Sequence, residues 1–457
     1  MKHQSNAVSM TEGSISKSII SFAIPVFMGN LFQQLYNTVD SLIVGNFIGE
    51  DALAAVSSSG SLIFLMVGFF NGVATGAGVL ISKYYGAKDD RSVEATVHTD
   101  IAFGLIMGVV LTVLGVLFTP QILRWMGTPP DVLPNSIIYF RVYYLGSIGL
   151  VMYNTNVGIL QAVGDSRHPL YYLIFSSILN VVLDLLFVAV FHWGVGSAAL
   201  ATIISQFASA ILSFIRLTRA NGVYKVTVKN IRLDRRMLGR IIKLGLPSGI
   251  QNSIISIANI VVQSNINTFD VNAMAGCGSY SKLEGFAFLP ITSLAISMTT
   301  FVGQNLGARN FERAKKGARF GIITSMLFAE LIGVIIFVFS PWLIALFNSN
   351  PDIVRFGVRQ ARVETLFYCF LAFSHCIAGI MRGAGRAIVP MLTMMACWCI
   401  VRVTFITIMM RIAQVIDFVF CAYPLTWTLS SIIFLIYFLK ADWVHSFERT
   451  KHKHRAA

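Results

Sequence analysis

The sequence predicts an all-α integral membrane protein: twelve transmembrane helices in two six-helix lobes related by a pseudo-two-fold axis. Three observations predict it. The chain of 457 residues is 55% hydrophobic and 12% charged, about half the charge of an ordinary soluble domain. Apolar runs long enough to cross a bilayer, about 20 residues each, recur along the whole length. The second half of the chain also repeats the first.

Helices are the expected spanning form, because each satisfies its own backbone hydrogen bonds in lipid. The first, 16–46, follows the polar leader MKHQSNAVSMTEGSISK, unlike the short charged start of a cleavable signal, so it serves as its own insertion signal. The second, 51–80, is followed by Lys83, Lys88 and Arg91. The third, 95–118, is followed only by Arg124. The fourth, 133–157, leads to Arg167, and the fifth is 168–191. The sixth, 196–218, opens a strongly basic stretch with Arg216, Arg219, Lys225, Lys229, Arg235, Arg236 and Arg240. The seventh is 241–267. The eighth, 275–304, is followed by Arg309, Arg313, Lys315, Lys316 and Arg319. The ninth, 318–340, leads to the tenth, 353–379, with Arg355 and Arg359 at its start and Arg382 and Arg386 after it. The eleventh is 387–410, and the twelfth, 418–440, ends in Lys440 and a basic tail.

The basic residues thus follow the even-numbered spans. The positive-inside rule then places both termini and the central loop in the cytoplasm of a multi-pass cell-membrane protein. The net charge of +14 is read as orientation and contact with anionic lipid, and no nucleic-acid partner is expected. The six cysteines lie in or at the edge of apolar spans, which gives no support for a disulfide framework. Cys397 and Cys399 face different sides of a helix and make a poor metal pair.

At an offset of 221 residues, Ala52 and Ala54 fall on Ala273 and Ala275, and Ser58 on Ser279. Gly86-Ala87-Lys88 falls on Gly307-Ala308-Arg309, Pro130-Asp131 on Pro351-Asp352, and Gly164 on Gly385. With one more residue, Pro25 and Asn37 fall on Pro247 and Asn259. Six spans per copy make the repeat parallel, with an axis along the membrane normal, a recurrent transporter plan. Residues 1–218 are expected to form the N-terminal lobe and 219–240 a cytoplasmic inter-lobe loop. Residues 241–440 form the C-terminal lobe, and 441–457 a basic cytoplasmic tail.

Six stretches carry a resemblance: IPVFMGNLFQQLYNTVDSLIVG, KYYGAKDDRSVEA with its second copy NLGARNFERAKKGA, LQAVGDSRHP with its second copy MRGAGRAIVP, and LNVVLDLLFV. In number, order and duplication they resemble the MATE family, the multidrug and toxic compound extrusion antiporters. The resemblance implies a V-shaped fold of two six-helix lobes. It also implies export of small organic, often cationic compounds in exchange for H⁺ or Na⁺, with no cofactor.

Asp40 lies in the outer half of the first span, inside an apolar run. A carboxylate in hydrocarbon costs at least ~2.5 kcal/mol, so such a residue usually faces a cavity or the bundle interior. Asn180 and Asp184, four apart on one face of span five, and Thr202 in span six fall at the same depth. Two nearby carboxylates in low dielectric cannot both ionise comfortably, which suits a group that takes up and releases a proton. The same oxygens, with an amide and a hydroxyl, suit Na⁺; no other metal is expected. That the four converge in space is implied by the resemblance. The plain alternative is that they lock helices together, and Thr202 in particular can bond its own helix backbone. At the repeat offsets Asp40 corresponds to Val262, Asn180 to Val401, Asp184 to Phe405 and Thr202 to Tyr423. The scaffold is duplicated and the acids are not, which assigns the ion site to the first lobe. Acids in spans one and five also resemble the DinF-like branch, whereas the NorM-like branch carries them in spans seven and ten.

Pro25 is a candidate hinge, since proline removes a backbone hydrogen bond. Gln34, Tyr36, Asn37, Tyr139, Asn154 and Asn156 are candidates for lining the substrate cavity, with the last two deeper. In the second lobe Glu284, Glu330, Glu364 and Arg402 are the deep ionisable groups, expected mainly as ion pairs. Glu284 is the best of them for attracting a cation. His375 is expected in core packing. No Walker A motif is present, so ATP does not drive the protein. The expected partners are small-molecule substrates and the lipid bilayer, and the expected state is a monomer. A lipid-linked precursor flippase is the alternative within transport. An integral-membrane enzyme is weaker, because no catalytic set appears.

Overall fold

The computed structural model describes residues 9–47, 50–125, 128 and 130–448, with side chains throughout except at 41, 45–46 and 50–67. All regular structure among them is helical. Helices lie over each of the twelve predicted spans. They are α1 (Ile15–Phe47), α2 (Glu50–Gly86), α3 (Asp90–Trp125), the pair α4 (Leu133–Leu145) and α5 (Ser147–Ala162), α6 (Arg167–Asp184) and α7 (Gly196–Thr218). The second half has α8 (Arg235–Ile266), α9 (Val271–Gly307), α10 (Phe311–Ala345), α11 (Pro351–Glu364) with α12 (Tyr368–Gly383), α13 (Ile388–Met394) with α14 (Arg402–Ile412), and α15 (Asp417–Lys440). Among the described residues nine spans are long and apolar enough to cross a membrane, and the bent α4–α5 pair makes a tenth. α8 opens on Arg235, Arg236, Arg240 and Lys243, which lowers its hydropathy.

The breaks have local causes. α4 and α5 meet at Gly146 with a 47° bend. A Cβ there would collide with the Ile203 side chain, so the bend needs the glycine. Spans five and eleven each contain a π-helical stretch, Leu185–Val190 and Met395–Val401. The first begins directly after Asp184 and the second ends directly before Arg402. Such wide turns often accompany functional positions.

The described residues pack into two compact units. Met28–Leu246 belong to the first; Ser9–Phe27 and the chain from Pro247 belong to the second. In the first unit Ile81, Val97, Ile101 and Leu160 centre one apolar cluster, and Val44, Leu123 and Phe140 another. The stretch after α7 packs into the same unit: Tyr224 and Val226 are buried, and the Thr227 amide donates to His98 Nε2 at 3.0 Å. In the second unit Phe301, Ile377, Trp427 and Phe434 share a core with Met10, Ile19 and Phe22 from the N-terminal segment. Arg313 fixes that segment by donating to the carbonyls of Met10, Glu12 and Gly13 at 3.1, 2.8 and 2.6 Å. The basic tail beyond Glu448 and residues 1–8 lie outside the described residues. Large apolar side chains at a four-residue spacing, such as Val109, Val113 and Leu117 on α3, stay exposed. In water they would be an aggregation liability; in a bilayer they are the lipid face.

Candidate functional site

The first unit brings the four predicted coupling residues together. Asp40 is on α1 and 9% exposed; Asp184 closes α6 and is fully buried. Their carboxyl groups lie within hydrogen-bonding reach of each other. Asn180, one turn before Asp184, donates from Nδ2 to Thr202 Oγ1 at 3.5 Å, which links α6 to α7. Thr202 also donates to the Ala198 carbonyl of its own helix at 3.1 Å, so the backbone bond foreseen for it exists beside the cross-helix one.

The site holds more acceptors than donors. Asp40 Oδ1, Asn180 Oδ1 and both Asp184 oxygens are buried with no hydrogen-bond partner. An unpartnered buried oxygen costs about 1–3 kcal/mol, and more when charged. A proton shared between the carboxyls, or one small hard cation among these oxygens, relieves that cost. The donor set therefore fits H⁺ or Na⁺.

Aromatic and amide side chains close around the acids. Tyr36, one turn before Asp40 on α1, lies beside Gln33 and Gln206 and in the electrostatic field of both acids. Tyr139 is 4% exposed, lies in the electrostatic field of both acids, and stacks on Tyr143 with ring centres 6.4 Å apart. Tyr143 and Gln206 were not among the predicted residues. Both sit four residues from predicted ones, Tyr139 and Thr202, on the same helix faces, and that spacing is the signal that finds them.

The other predicted cavity residues are spread. Gln34 is half-buried and Asn37 exposed on α1. Asn154 is half-buried on α5, with Nδ2 donating to the Leu150 carbonyl at 3.0 Å. Asn156 is fully buried and donates to the Ala210 carbonyl and Ser213 Oγ at 3.2 and 3.0 Å. It ties α5 to α7 about 12 Å along α7 from Thr202, at 1.5 Å per residue. Pro25 is buried in α1, which runs through it from Ile15 to Phe47.

The second unit has a different polar centre. Gln360 donates to Glu364 at 2.9 Å, and the hydroxyls of Tyr280 and Tyr368 are bonded at 2.9 Å. Arg402 is 2% exposed and forms no close ion pair with Glu284 or Glu364. It lies over Tyr423, 4.3 Å from the ring centre, and donates from Nε and Nη2 to Thr426 Oγ1. The delocalised guanidinium is weakly hydrated and stacks on aromatic faces, which is why a ring replaces the expected carboxylate partner. Glu284, half-buried on α9, keeps an unpartnered buried Oε1 within the field of Arg402. Glu330 accepts from the Cys369 amide at 3.1 Å. His375 packs edge-on to Phe288 and Trp398, as core packing requires.

Comparison with known proteins agrees with this architecture. The MatE family profile matches twice, over residues 25–186 and 247–408, one match per repeat. The chain is 30% identical over 393 residues to a Bacillus subtilis protein described as probable multidrug resistance protein YoeA, covering 84% of this chain and 85% of that one. A second B. subtilis protein, probable multidrug resistance protein YpnP, is 28% identical over 393 residues, covering 86% of this chain and 88% of that one. A solved outward-facing multidrug resistance MATE family transporter of the MOP superfamily superposes with a TM-score of 0.89. It is 23% identical, and the match covers 95% of this chain and 98% of that one.

Proposed function

Because the chain belongs to the MATE family of multidrug transporters, we propose that it exports small amphipathic organic compounds, many of them cationic, in exchange for H⁺ or Na⁺. It is a multi-pass membrane transporter and not an enzyme. The observation that carries the coupling is the Asp40–Asp184 pair with its unpartnered oxygens. The ion neutralises the pair, and the ionised pair draws a cationic substrate to the same region. Competition for one region then gives antiport without simultaneous occupancy. A ligand shifts a two-state equilibrium only by its differential affinity for the states, so the titrating group is the coupling device.

Pro25 lets the inner part of α1 bend as the pair changes charge. The acids on spans one and five favour the DinF-like branch. The basic loops after the even spans favour cytoplasmic termini, and the working unit is a monomer. The flippase alternative is not favoured: the relatives compared above are described as multidrug resistance proteins. The test is gradient-driven efflux from proteoliposomes. Asp40→Asn keeps size and polarity and cannot release a proton, so it folds and inserts yet fails to concentrate substrate. Wild-type concentrative efflux by this variant would reject the assignment.

A further inference from the structure

Asp100 is a further buried carboxylate of the first unit; unlike Asp165, which pairs with His168, it belongs to no ion pair among the described residues. It sits on α3 in the run TVHTDIAFG and is 3% exposed. Among the described residues it has no hydrogen-bond or ion-pair partner. It lines a cavity of about 20 Å³ together with Asn154 and Thr155 of α5. That volume holds one water molecule, and a water needs two to four polar partners. Asn154 spends Nδ2 on the Leu150 carbonyl, which leaves Oδ1 as an acceptor. Gly104, one turn along α3, keeps the space open: a Cβ there would come within 2.8 Å of Thr155 Oγ1. The remaining lining, from Phe70 and Val73 on α2 to Met107 on α3 and Val151 on α5, is apolar.

The depth of this cavity gives it a role. Asp100 is ten residues into α3, about 15 Å from the basic-loop end, whereas Asp184 is about 26 Å from the corresponding end of α6. The cavity therefore lies roughly 10 Å nearer the basic loops than the paired acids. Tyr36, one turn from Asp40, and Tyr153, next to Asn154 in the chain, fall within each other's field. The nearby titratable groups are otherwise engaged. His98 faces the Glu94 carbonyl and the Thr227 amide, and Arg240 donates to Tyr84 at 2.6 Å.

We propose that Asp100, Asn154 and Thr155 form a proton-relay site between the paired acids and the basic-loop end. The carboxylate takes a proton from a hydronium in the cavity and leaves neutral water; the reverse step returns the proton. Asn154 Oδ1 and Thr155 Oγ1 orient that water. The proposal rests on the coupling role given to Asp40 and Asp184, narrows the coupling ion to H⁺, and assigns the proton's path on one side of them.

The test uses the full-length protein in proteoliposomes, with ethidium as the transported probe and an internal pH dye. Wild type, Asp100→Asn, Asp100→Glu, Gly104→Ala and Asp40→Asn are compared at equal density, with thermal stability measured in parallel. Asp100→Asn is expected to slow proton-coupled efflux by about tenfold or more, as for loss of a positioned proton-transfer group. It should leave ethidium binding unchanged and flatten the dependence of rate on pH at the basic-loop side. Gly104→Ala should slow efflux similarly by filling the cavity, and Asp100→Glu should restore most of the rate. A wild-type rate and pH profile in Asp100→Asn overturns the relay. So does a rate loss that only follows lost thermal stability, and so does efflux driven by Na⁺ with no proton flux. If Asp40→Asn stays coupled while Asp100→Asn is slow, the paired-acid reading fails, and a relay leading to that pair fails with it. If Asp40→Asn uncouples and Asp100→Asn behaves as wild type, the relay alone fails.

Discussion

Val262 and Phe405 share one apolar cluster in the second unit. They are the repeat counterparts of Asp40 and Asp184, and Tyr423, the counterpart of Thr202, packs there too. The duplicated scaffold thus brings the same positions together twice, once as paired acids and once as an apolar core. A polar side chain at Val262, which is 1% exposed, would be buried without a partner. Val262→Asn is therefore expected to destabilise the protein by about 2–3 kcal/mol while leaving ion coupling intact. Thermal unfolding in detergent and proteoliposome efflux measure the two effects separately. Unchanged stability would mean that this cluster admits water.

The second unit's own polar centre is held by stacking. Arg402→Lys keeps the charge and loses both the planar face on Tyr423 and the fork on Thr426. About 2 kcal/mol of stability should go with it, from the desolvated cation–π contact and the charge-assisted hydrogen bonds. Tyr423→Phe retains the ring face and should cost little, whereas Tyr423→Leu should approach the lysine variant. A large loss in Tyr423→Phe would show that the hydroxyl, and not the ring, holds the arginine.

Orientation gives a third expectation. A cysteine placed at Lys229, in the connection between α7 and α8, should react with an impermeant thiol reagent only after cells are opened, once the native cysteines are removed. Labelling from outside intact cells would reverse the assignment of every loop. The expectation depends on the alternation of basic residues around the spans, which biases insertion.

Much of this was legible in the residues. Span number, repeat and the depth match of Asp40, Asn180, Asp184 and Thr202 follow from hydropathy and helical spacing, because lipid leaves the backbone few choices. Asn156 and Arg402 show where that reading stops. Sequence placed both at a plausible depth for a pathway or an ion pair. Their roles depend on which neighbouring helix each faces, and rotation about a helix axis is set by packing. Asn156 turned out to bind the backbone of α7, and Arg402 a ring on α15. Asp100 is a different case. It is a carboxylate inside the predicted third span, and the rule that singled out Asp40 would have singled it out too.

The last prediction separates substrate attraction from coupling. Glu284 is half-buried in the second unit, with an unpartnered Oε1. Its carboxylate can attract a cation and lies in the field of Glu364 and Arg402, but no hydrogen bond joins the two carboxyls as one joins Asp40 to Asp184. Glu284→Gln should therefore weaken efflux of cationic compounds by several-fold, about 1 kcal/mol of lost charge interaction, while neutral substrates are little affected. Its ion-to-substrate coupling should stay at the wild-type value. Asp40→Asn should show the opposite pattern, with substrate still bound and coupling lost for every compound. Efflux of one cationic and one neutral probe, with ion flux recorded in the same vesicles, gives all four values. If Glu284→Gln abolished coupling for both probes, the ion pathway would have to include the second unit, and the restriction of coupling to the paired acids of the first unit would be wrong.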